Sequence, residues 1–192
     1  MKTSYVIAAS LFLVASPAFA GWTLDNADSQ VSFVSVKAGD AGEVHRFREI
    51  SGSLSDGGKA SVVIQLASVD TMIPVRDERM REMLFETEIF PTATLSATID
   101  MHALDAIEPG NSADMTADLT LDLHNQQVVI PAEMIVARLA DDKLLVSSRK
   151  PVIVNAASVD LVAGIEALRA VANLPSISKA VPVSFVLTFV EN

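Results

Sequence analysis

The chain has 192 residues, with 14 Lys and Arg against 24 Asp and Glu, and a formal net charge of −10 at pH 7. An acidic balance of this kind argues against nucleic-acid binding and against strong docking on anionic lipid, because both need clustered Lys and Arg. The absence of Cys excludes disulfide bonds, thiol chemistry and a lipid-modified N-terminal Cys.

The first segment has the pattern of a secretory signal peptide. Lys2 gives a short basic region, residues 6–14 are almost wholly apolar, and Ala18-Phe19-Ala20 is a small-x-small cleavage site. We therefore predict cleavage of residues 1–20 and a single mature domain over residues 21–192; an uncleaved signal anchor is the alternative. No later apolar run approaches the roughly 18 residues that cross a bilayer, so the mature chain is predicted not to span a membrane.

Alternation of apolar and polar residues predicts about eight β-strands. In chain order they lie at residues 30–36, 44–54, 62–66, 95–101, 115–123, 128–136, 144–155 and 181–189. A turn at His124-Asn125-Gln126-Gln127 joins two of them as an antiparallel hairpin. Because eight strands are too many for one flat sheet, the predicted fold class is all-β, a closed antiparallel barrel.

Two segments interrupt the strands and predict one or two short helices. Residues 75–86 are rich in helix formers, with apolar side chains on one side. Residues 162–171 repeat an apolar residue every three positions and are followed by Asn173 and Pro175, which typically end a helix. Such helices either cover the barrel wall or cap an open end of it, and the pattern alone leaves both arrangements open.

The predicted inner faces of the strands contain many small residues. Ala97, Ala117 and Ala132 alternate with polar residues, and few aromatic residues accompany them. An eight-stranded barrel either fills with side chains or holds one small ligand, and small residues leave room for a ligand. An ordinary β-sandwich core shows the same alternation, so a packed interior stays open as the alternative.

A motif spans Ser68 to Leu95. Ser68-Val69-Asp70-Thr71 is followed four residues later by Arg76-Asp77, and the stretch continues through Phe90-Pro91. This stretch resembles the central signature of the YceI family, the periplasmic lipocalin-like proteins that bind polyisoprenoids.

The resemblance extends over most of the mature chain but includes departures. Residues 22–33, from Trp22 to Phe33, resemble the N-terminus of mature family members. Asp28 and Arg79 stand where His is common in the family, and residues 156–159 replace a family motif. The chain is therefore identified as a divergent member.

The resemblance implies a lipocalin-like barrel whose lumen holds a long-chain isoprenoid-type lipid. The ligand would be a quinone, a polyprenyl compound or a fatty amide, and no other cofactor is implied. It also implies a periplasmic carrier that exchanges lipid transiently with membranes, and it is compatible with a homodimer.

Candidate ligand-binding residues follow from the same stretch and from the predicted strands. Arg can donate to a carbonyl, amide or phosphate head, so the Arg76-Asp77 pair is the polar candidate. The alternative is a structural ion-pair network that fixes the helix on the barrel. The remaining candidates are expected to line the lumen: Phe33, Phe47, Met80, Leu84 and Phe85.

The sequence predicts no enzyme and no metal site. Recognised hydrolase, metalloprotease and nucleotide-binding motifs do not occur. His45, His102 and His124 are far apart in sequence, and each is expected to face solvent at a strand end. Two alternatives to the lipid carrier remain open. One is an exported structural, protein-binding or glycan-binding β-module, in which glycan binding would depend on Trp22, the one tryptophan of the chain. The other, with less support, is an enzyme that acts on such a lipid.

Overall fold

The computed structural model describes residues 21–192, so the predicted signal peptide at residues 1–20 lies outside the described residues. The described part forms one antiparallel sheet that closes on itself, with short helices at its ends. Its strands are β1 (Gly21–Leu24), β2 (Gln30–Lys37), β3 (Ala41–Phe47), β4 (Ile50–Ser55), β5 (Lys59–Gln65), β6 (Val69–Asp70), β7 (Thr92–Thr98), β8 (Ser112–Leu123), β9 (Gln126–Ala140), β10 (Lys143–Ser148), β11 (Val152–Asn155) and β12 (Ala180–Glu191).

The helices lie in the connections between strands. Helix α1 (Pro74–Arg79) continues directly into a π-helix at Met80–Leu84. The other helices are α2 (Met101–Asp105) and α3 (Val162–Val171), and short 3₁₀ turns occur at Leu66–Ser68 and Ala156–Val159. The two predicted helical segments are confirmed.

Strand β12 closes the barrel. Its N-terminal half pairs with β2 and β11, and its C-terminal half pairs with β1 and β10. One barrel strand therefore consists of β1 followed by β2, and another consists of β10 followed by β11. A third consists of β3 followed by β4, because β3 pairs with β2 and β4 pairs with β1. Counted so, residues 21–192 form eight barrel strands, with β6 as a short addition on β3. The predicted closed antiparallel barrel is confirmed.

The β8–β9 hairpin turns in two residues, where the sequence predicted four. His124 and Asn125 both adopt positive φ, 55° and 59°. Two successive left-handed residues are typical of a type I′ turn, whose twist matches that of the flanking strands. Gln126 and Gln127 therefore belong to β9, where they pair with Leu123 and Asp122.

The strand predicted to run through Met101 ends earlier. β7 ends at Thr98, and Asp100 begins α2 by accepting hydrogen bonds from the backbone N–H groups of His102 at 3.0 Å and Ala103 at 3.2 Å. Such an N-cap favours helix over strand. Leu104 of α2 is buried and, with Ile107, lies in the core at this end of the barrel.

The opposite end carries α1, the π-helix and α3. The π-helix bond runs from the Phe85 N–H to the Met80 carbonyl, 2.9 Å, and turns Met80 and Leu84 into the core. Gly164 of α3 lies directly against the backbone of this π-helix. The two predicted amphipathic helices therefore pack on each other at one end of the barrel.

Candidate functional site

The barrel encloses a cavity of about 590 Å³. Close-packed protein interiors leave only small voids, whereas ligand pockets typically measure about 300–1,000 Å³. Apolar side chains from successive strands form most of its wall, among them Val31, Leu95, Leu119, Met134, Leu144 and Leu187. The interior is thus a ligand-sized apolar cavity rather than a packed core.

Paired small residues make part of this room. Ala60 of β5 and Ala97 of β7 are opposite each other in the sheet, and both line the cavity. Ala117 and Ala132 form a second small pair, between β8 and β9, but neither of them lines the cavity. Small side chains on facing strands leave the space that larger ones would fill.

The cavity reaches the surface beside α1. Ile73, Val75 and Val171 all line it, yet they are 44%, 51% and 47% exposed. Apolar side chains that touch both the cavity and solvent mark an opening. At the other end, the buried Leu104 of α2 lines the cavity.

Six of the seven predicted site residues lie on the wall of this one cavity: Phe33, Phe47, Arg76, Met80, Leu84 and Phe85. Three aromatic rings form a continuous row there, with centroids 5.4 Å apart between Phe33 and Phe47 and 5.8 Å apart between Phe47 and Phe85. Strands β2 and β3 and the π-helix thereby bring together residues that are up to 52 positions apart, from 33 to 85.

The seventh predicted residue, Asp77, has its carboxylate engaged by Thr71. Its Oδ1 accepts from the Thr71 N–H at 2.8 Å and from the Thr71 hydroxyl at 2.5 Å. These bonds fasten the first turn of α1 to the residue that follows β6. The structure thus gives Asp77 contacts that hold the helix in place.

Arg76 also fixes α1, but it reaches the cavity as well. One terminal nitrogen donates to Glu43 of β3, and Nη2 donates to the Thr71 carbonyl at 2.7 Å. Glu43 in turn accepts from Lys37 Nζ at 2.8 Å. The hydrogen bond from Lys37, followed by that from Arg76, lowers the pKa of Glu43 and keeps this carboxylate ionised at neutral pH.

The remaining motif residues anchor the same segment. Asp70 is almost fully buried and accepts hydrogen bonds from Arg46 Nε at 3.0 Å and from the Met72 N–H at 3.1 Å. It also forms an ion pair with Arg48, whose Nη2 lies 2.9 Å from Asp70 Oδ2. The Met72 bond, followed by the two arginines, lowers the pKa of Asp70. Met72 has a positive φ of 62°, so the chain turns sharply here before α1.

His45 lies on the cavity wall, so the prediction that it faces solvent is wrong. It is 4% exposed and lines the cavity next to Phe33, with ring centroids 5.2 Å apart. Its Nε2 lies 2.8 Å from the Ser35 hydroxyl. Strand alternation gave the missing signal, because residue 45 is two positions from the predicted lumen residue Phe47 and therefore shares its face.

Two polar nitrogen atoms of this wall have no partner in the protein. Among residues 21–192, four buried side-chain nitrogens have no hydrogen bond. His45 Nδ1 and Arg76 Nε belong to this wall, and the other two, His124 Nδ1 and Arg138 Nε, do not. Burial is the largest cause that lowers the pKa of His45, and the positive charge of Arg76 adds to it. The imidazole is therefore neutral at pH 7.

Other expected features are placed as follows within residues 21–192. Trp22 is buried, and the Arg138 guanidinium lies 5.6 Å from the centre of its ring. No helix in this part of the chain combines the length and apolar character needed to cross a membrane. The same part contains no group of three His, Cys, Asp or Glu side chains arranged to hold a metal ion.

The YceI-like domain family matches residues 22–189. No curated protein matches the chain. Among solved structures, a polyisoprenoid-binding domain from Saccharophagus degradans, described as implicated in plant cell wall breakdown, is 39% identical with a TM-score of 0.88. That match covers 90% of this chain and 99% of the Saccharophagus domain.

Two more distant structures show the same fold. BcnA from Burkholderia cenocepacia is 20% identical with a TM-score of 0.60, over 86% of this chain and 98% of BcnA. A mutant of the CJ YceI protein, made for nanotechnology applications, is 17% identical with a TM-score of 0.54, over 77% of this chain and 84% of that chain.

Proposed function

The chain belongs to the YceI-like family, and we propose that it is a periplasmic carrier that holds the tail of a long isoprenoid-type lipid inside its barrel. The observation that carries this proposal is the apolar cavity of about 590 Å³ with an opening beside α1. The similar domain from Saccharophagus, whose description names polyisoprenoid binding, supports the same class of ligand.

The energetics favour a shielded tail. Each CH₂ group removed from water contributes about 0.8 kcal/mol, so a long free lipid does not cross an aqueous compartment at a useful concentration. Inside the barrel the tail exchanges one apolar medium, the membrane, for another. The net free energy of this exchange is small, which lets the carrier both load and unload.

The two ends of the cavity give the ligand a direction. At the α2 end the buried Leu104 and the exposed Asp100 line the cavity, whereas the cations Arg76 and Lys37 lie on its wall at the α1 end, where the cavity opens. The polar head therefore stays near the cations at the α1 end, and the tail extends toward α2. A quinone, a polyprenyl compound and a fatty amide all have this arrangement of a polar head on a long tail.

The cellular part of the proposal comes from the sequence. The segment 1–20 has the features of a cleaved signal peptide, so we place the mature protein in the periplasm, where it exchanges lipid transiently with membranes. The role is binding, not catalysis, and a homodimer is compatible with it.

The test is the lipid content of the mature protein isolated from the periplasm of its own host. Native mass spectrometry gives the mass of the bound molecule, and solvent extraction followed by lipid analysis identifies its tail and head. As a control, the same protein is denatured, stripped of lipid and refolded before the measurement. We expect one isoprenoid-type lipid per barrel in the native sample and none in the control. A lipid-free native protein would overturn the proposal.

A further inference from the structure

A row of inward-facing residues changes character along strands β2 and β3. On β2 the row runs from Val31 and Phe33 to Ser35 and Lys37, all of which line the cavity. Successive inward positions in a strand are two residues apart, so this order is also the order in space. The wall is thus apolar deep in the barrel and becomes polar toward the opening.

His45 marks the transition. It pairs with Phe33 across the β2–β3 ladder, its Nε2 lies 2.8 Å from Ser35 Oγ, and only 4% of its surface is exposed. A neutral imidazole has one nitrogen that donates and one that accepts. The Ser35 hydroxyl can either accept a hydrogen bond from His45 Nε2 or donate one to it. The buried Nδ1 can therefore accept from a hydroxyl group or donate to a carbonyl group of a ligand.

Arg76 brings a second unpartnered nitrogen to the same cavity. Its two terminal nitrogens are bound to Glu43 and to the Thr71 carbonyl, and Nε is buried without a partner among residues 21–192. An arginine Nε–H can only donate. An oxygen atom of a ligand can accept this bond without displacing any contact of the protein.

The charges of the cluster distinguish between head groups. A phosphate usually binds Arg through two parallel hydrogen bonds. In Arg76 one N–H of each terminal nitrogen is already engaged, by Glu43 and by the Thr71 carbonyl, so fewer of its five donors are free for such a pair. Lys37, another cation of the wall, is bound to the ionised Glu43. A phosphate would thus be buried next to a carboxylate and a neutral imidazole, which is costly unless its charge is fully paired. Arg79, which also lines the cavity, is the remaining cation of this cluster.

We infer that His45 and Arg76 form a head-group site inside the lumen that takes an uncharged oxygen-bearing head, a carbonyl or a hydroxyl, in preference to a phosphate. This inference rests on the proposed function, because it assigns the head of the lipid whose tail fills the barrel. Ser35 orients the imidazole of His45. The preference between head groups depends on these contacts and not on the length of the tail.

The experiment compares four probes that carry similar isoprenoid chains and differ in their heads. They are geranylgeraniol with a hydroxyl, geranylgeranylacetone with a ketone, geranylgeranyl phosphate, and phytane with no polar head. Affinities are measured on the lipid-stripped, refolded mature protein by competition against a fluorescent lipid. We expect the alcohol and the ketone to bind about three- to tenfold more tightly than phytane, the gain from one or two buried hydrogen bonds, and the phosphate to bind more weakly than both.

Two variants connect the preference to the site. His45→Phe keeps an aromatic ring beside Phe33 but removes both nitrogens, and it should reduce the preference for the ketone over phytane to the part that the Arg76 Nε–H supplies. His102→Phe, a matched change at an exposed histidine of α2, should leave the preference at its wild-type value.

The outcomes separate this inference from the proposed function. If the wild-type protein binds all four probes equally, or binds the phosphate most tightly, the head-group site is refuted while lipid binding stands. If none of the probes binds, the proposed function itself fails. The wild-type comparison is decisive even if His45→Phe does not fold.

Discussion

Gly164 of α3 lies so close to Leu84 of the π-helix that a Cβ atom at residue 164 would be 2.7 Å from the Leu84 Cα and 2.6 Å from the Met83 carbonyl oxygen. Both neighbouring atoms belong to the backbone, so no rotamer change can relieve this contact. The two helices at the open end of the barrel therefore depend on a glycine for their packing. Because Leu84 and Ile165 both line the cavity, this packing also shapes the cavity wall.

The first prediction is that Gly164→Val separates the two helices. Forcing a side chain into a tight contact typically costs about 1–3 kcal/mol, so we expect a lower free energy of unfolding and faster release of bound lipid. Chemical denaturation and stopped-flow lipid transfer to vesicles measure the two effects. Gly42→Val is the matched control, because a Cβ at residue 42 on β3 has no atom within 4 Å. Equal behaviour of the two variants would contradict the packing role of Gly164.

The second prediction is that a large side chain in the lumen displaces lipid. Ala97→Phe places an aromatic ring where Ala60 and Ala97 now leave room, and we expect lipid affinity to fall by about 1–3 kcal/mol. Thr98→Phe, at the next residue and on the exposed face of β7, is the control and should bind lipid like the wild type. Near-ultraviolet circular dichroism verifies that both variants are folded. Undiminished lipid in a folded Ala97→Phe protein would show that lipid binds elsewhere.

The third prediction concerns Asp70 and acid stability. Its pKa is lowered in the folded protein, chiefly by the Met72 N–H and then by Arg46 and Arg48, so its stabilising effect is present above the unfolded pKa of about 4 and is lost as the pH falls through the folded pKa. We expect Asp70→Asn to cost about 1–3 kcal/mol at pH 7 and progressively less below pH 4. Thermal melts from pH 7 to pH 3 measure this difference.

The control for this series is Asp118→Asn, which changes an exposed carboxylate on β8. Its melting temperature should follow that of the wild type across the whole pH range. A difference between wild type and Asp70→Asn that stayed constant down to pH 3 would mean that the charge of Asp70 does not supply its stabilising effect.

The fourth prediction is that removing the lipid lowers thermal stability. A ligand that binds only the folded state stabilises it by about 2.7 kcal/mol at a free concentration of 100 times Kd. For a domain of this size, the corresponding loss of melting temperature is about 5–10 °C. Calorimetry on native, stripped and reloaded protein measures the shift. A stripped protein that melts at the native temperature would argue that the barrel is stable without a ligand and binds it weakly or not at all.

Strand alternation allowed the sequence to predict most of the fold. The strands around Leu119 and Ile130 have one apolar and one polar face, and the structure pairs these two residues directly. Alternation also indicates which side chains share the lumen, which is why Phe33 and Phe47 were expected there. The helical segment that contains Met80 and Leu84 was predicted in a similar way, because its apolar side chains fall on one side of a helix.

The features that the sequence did not predict depend on contacts between distant residues. The contact between the His45 imidazole and the Ser35 hydroxyl depends on the pairing of β2 with β3, and the position of Asp77 is decided by its bonds to Thr71. The early end of β7 depends on the Asp100 cap, a local signal that was hidden by the apolar alternation leading to Met101. Alternation reports which face a residue occupies, but it does not report which polar groups meet across that face.

β12 follows all the other strands in the sequence, and this order determines when the barrel can close around its cavity. This strand pairs with β1, β2, β10 and β11, so a growing chain that lacks residues 180–191 has two unpaired sheet edges and no enclosed space. Pairing of Trp22 with Glu191 also joins residues from opposite ends of the domain, and contacts of such high sequence separation form slowly. The barrel therefore closes only after β12 has been synthesised, and a ligand can enter the enclosed cavity only after that step.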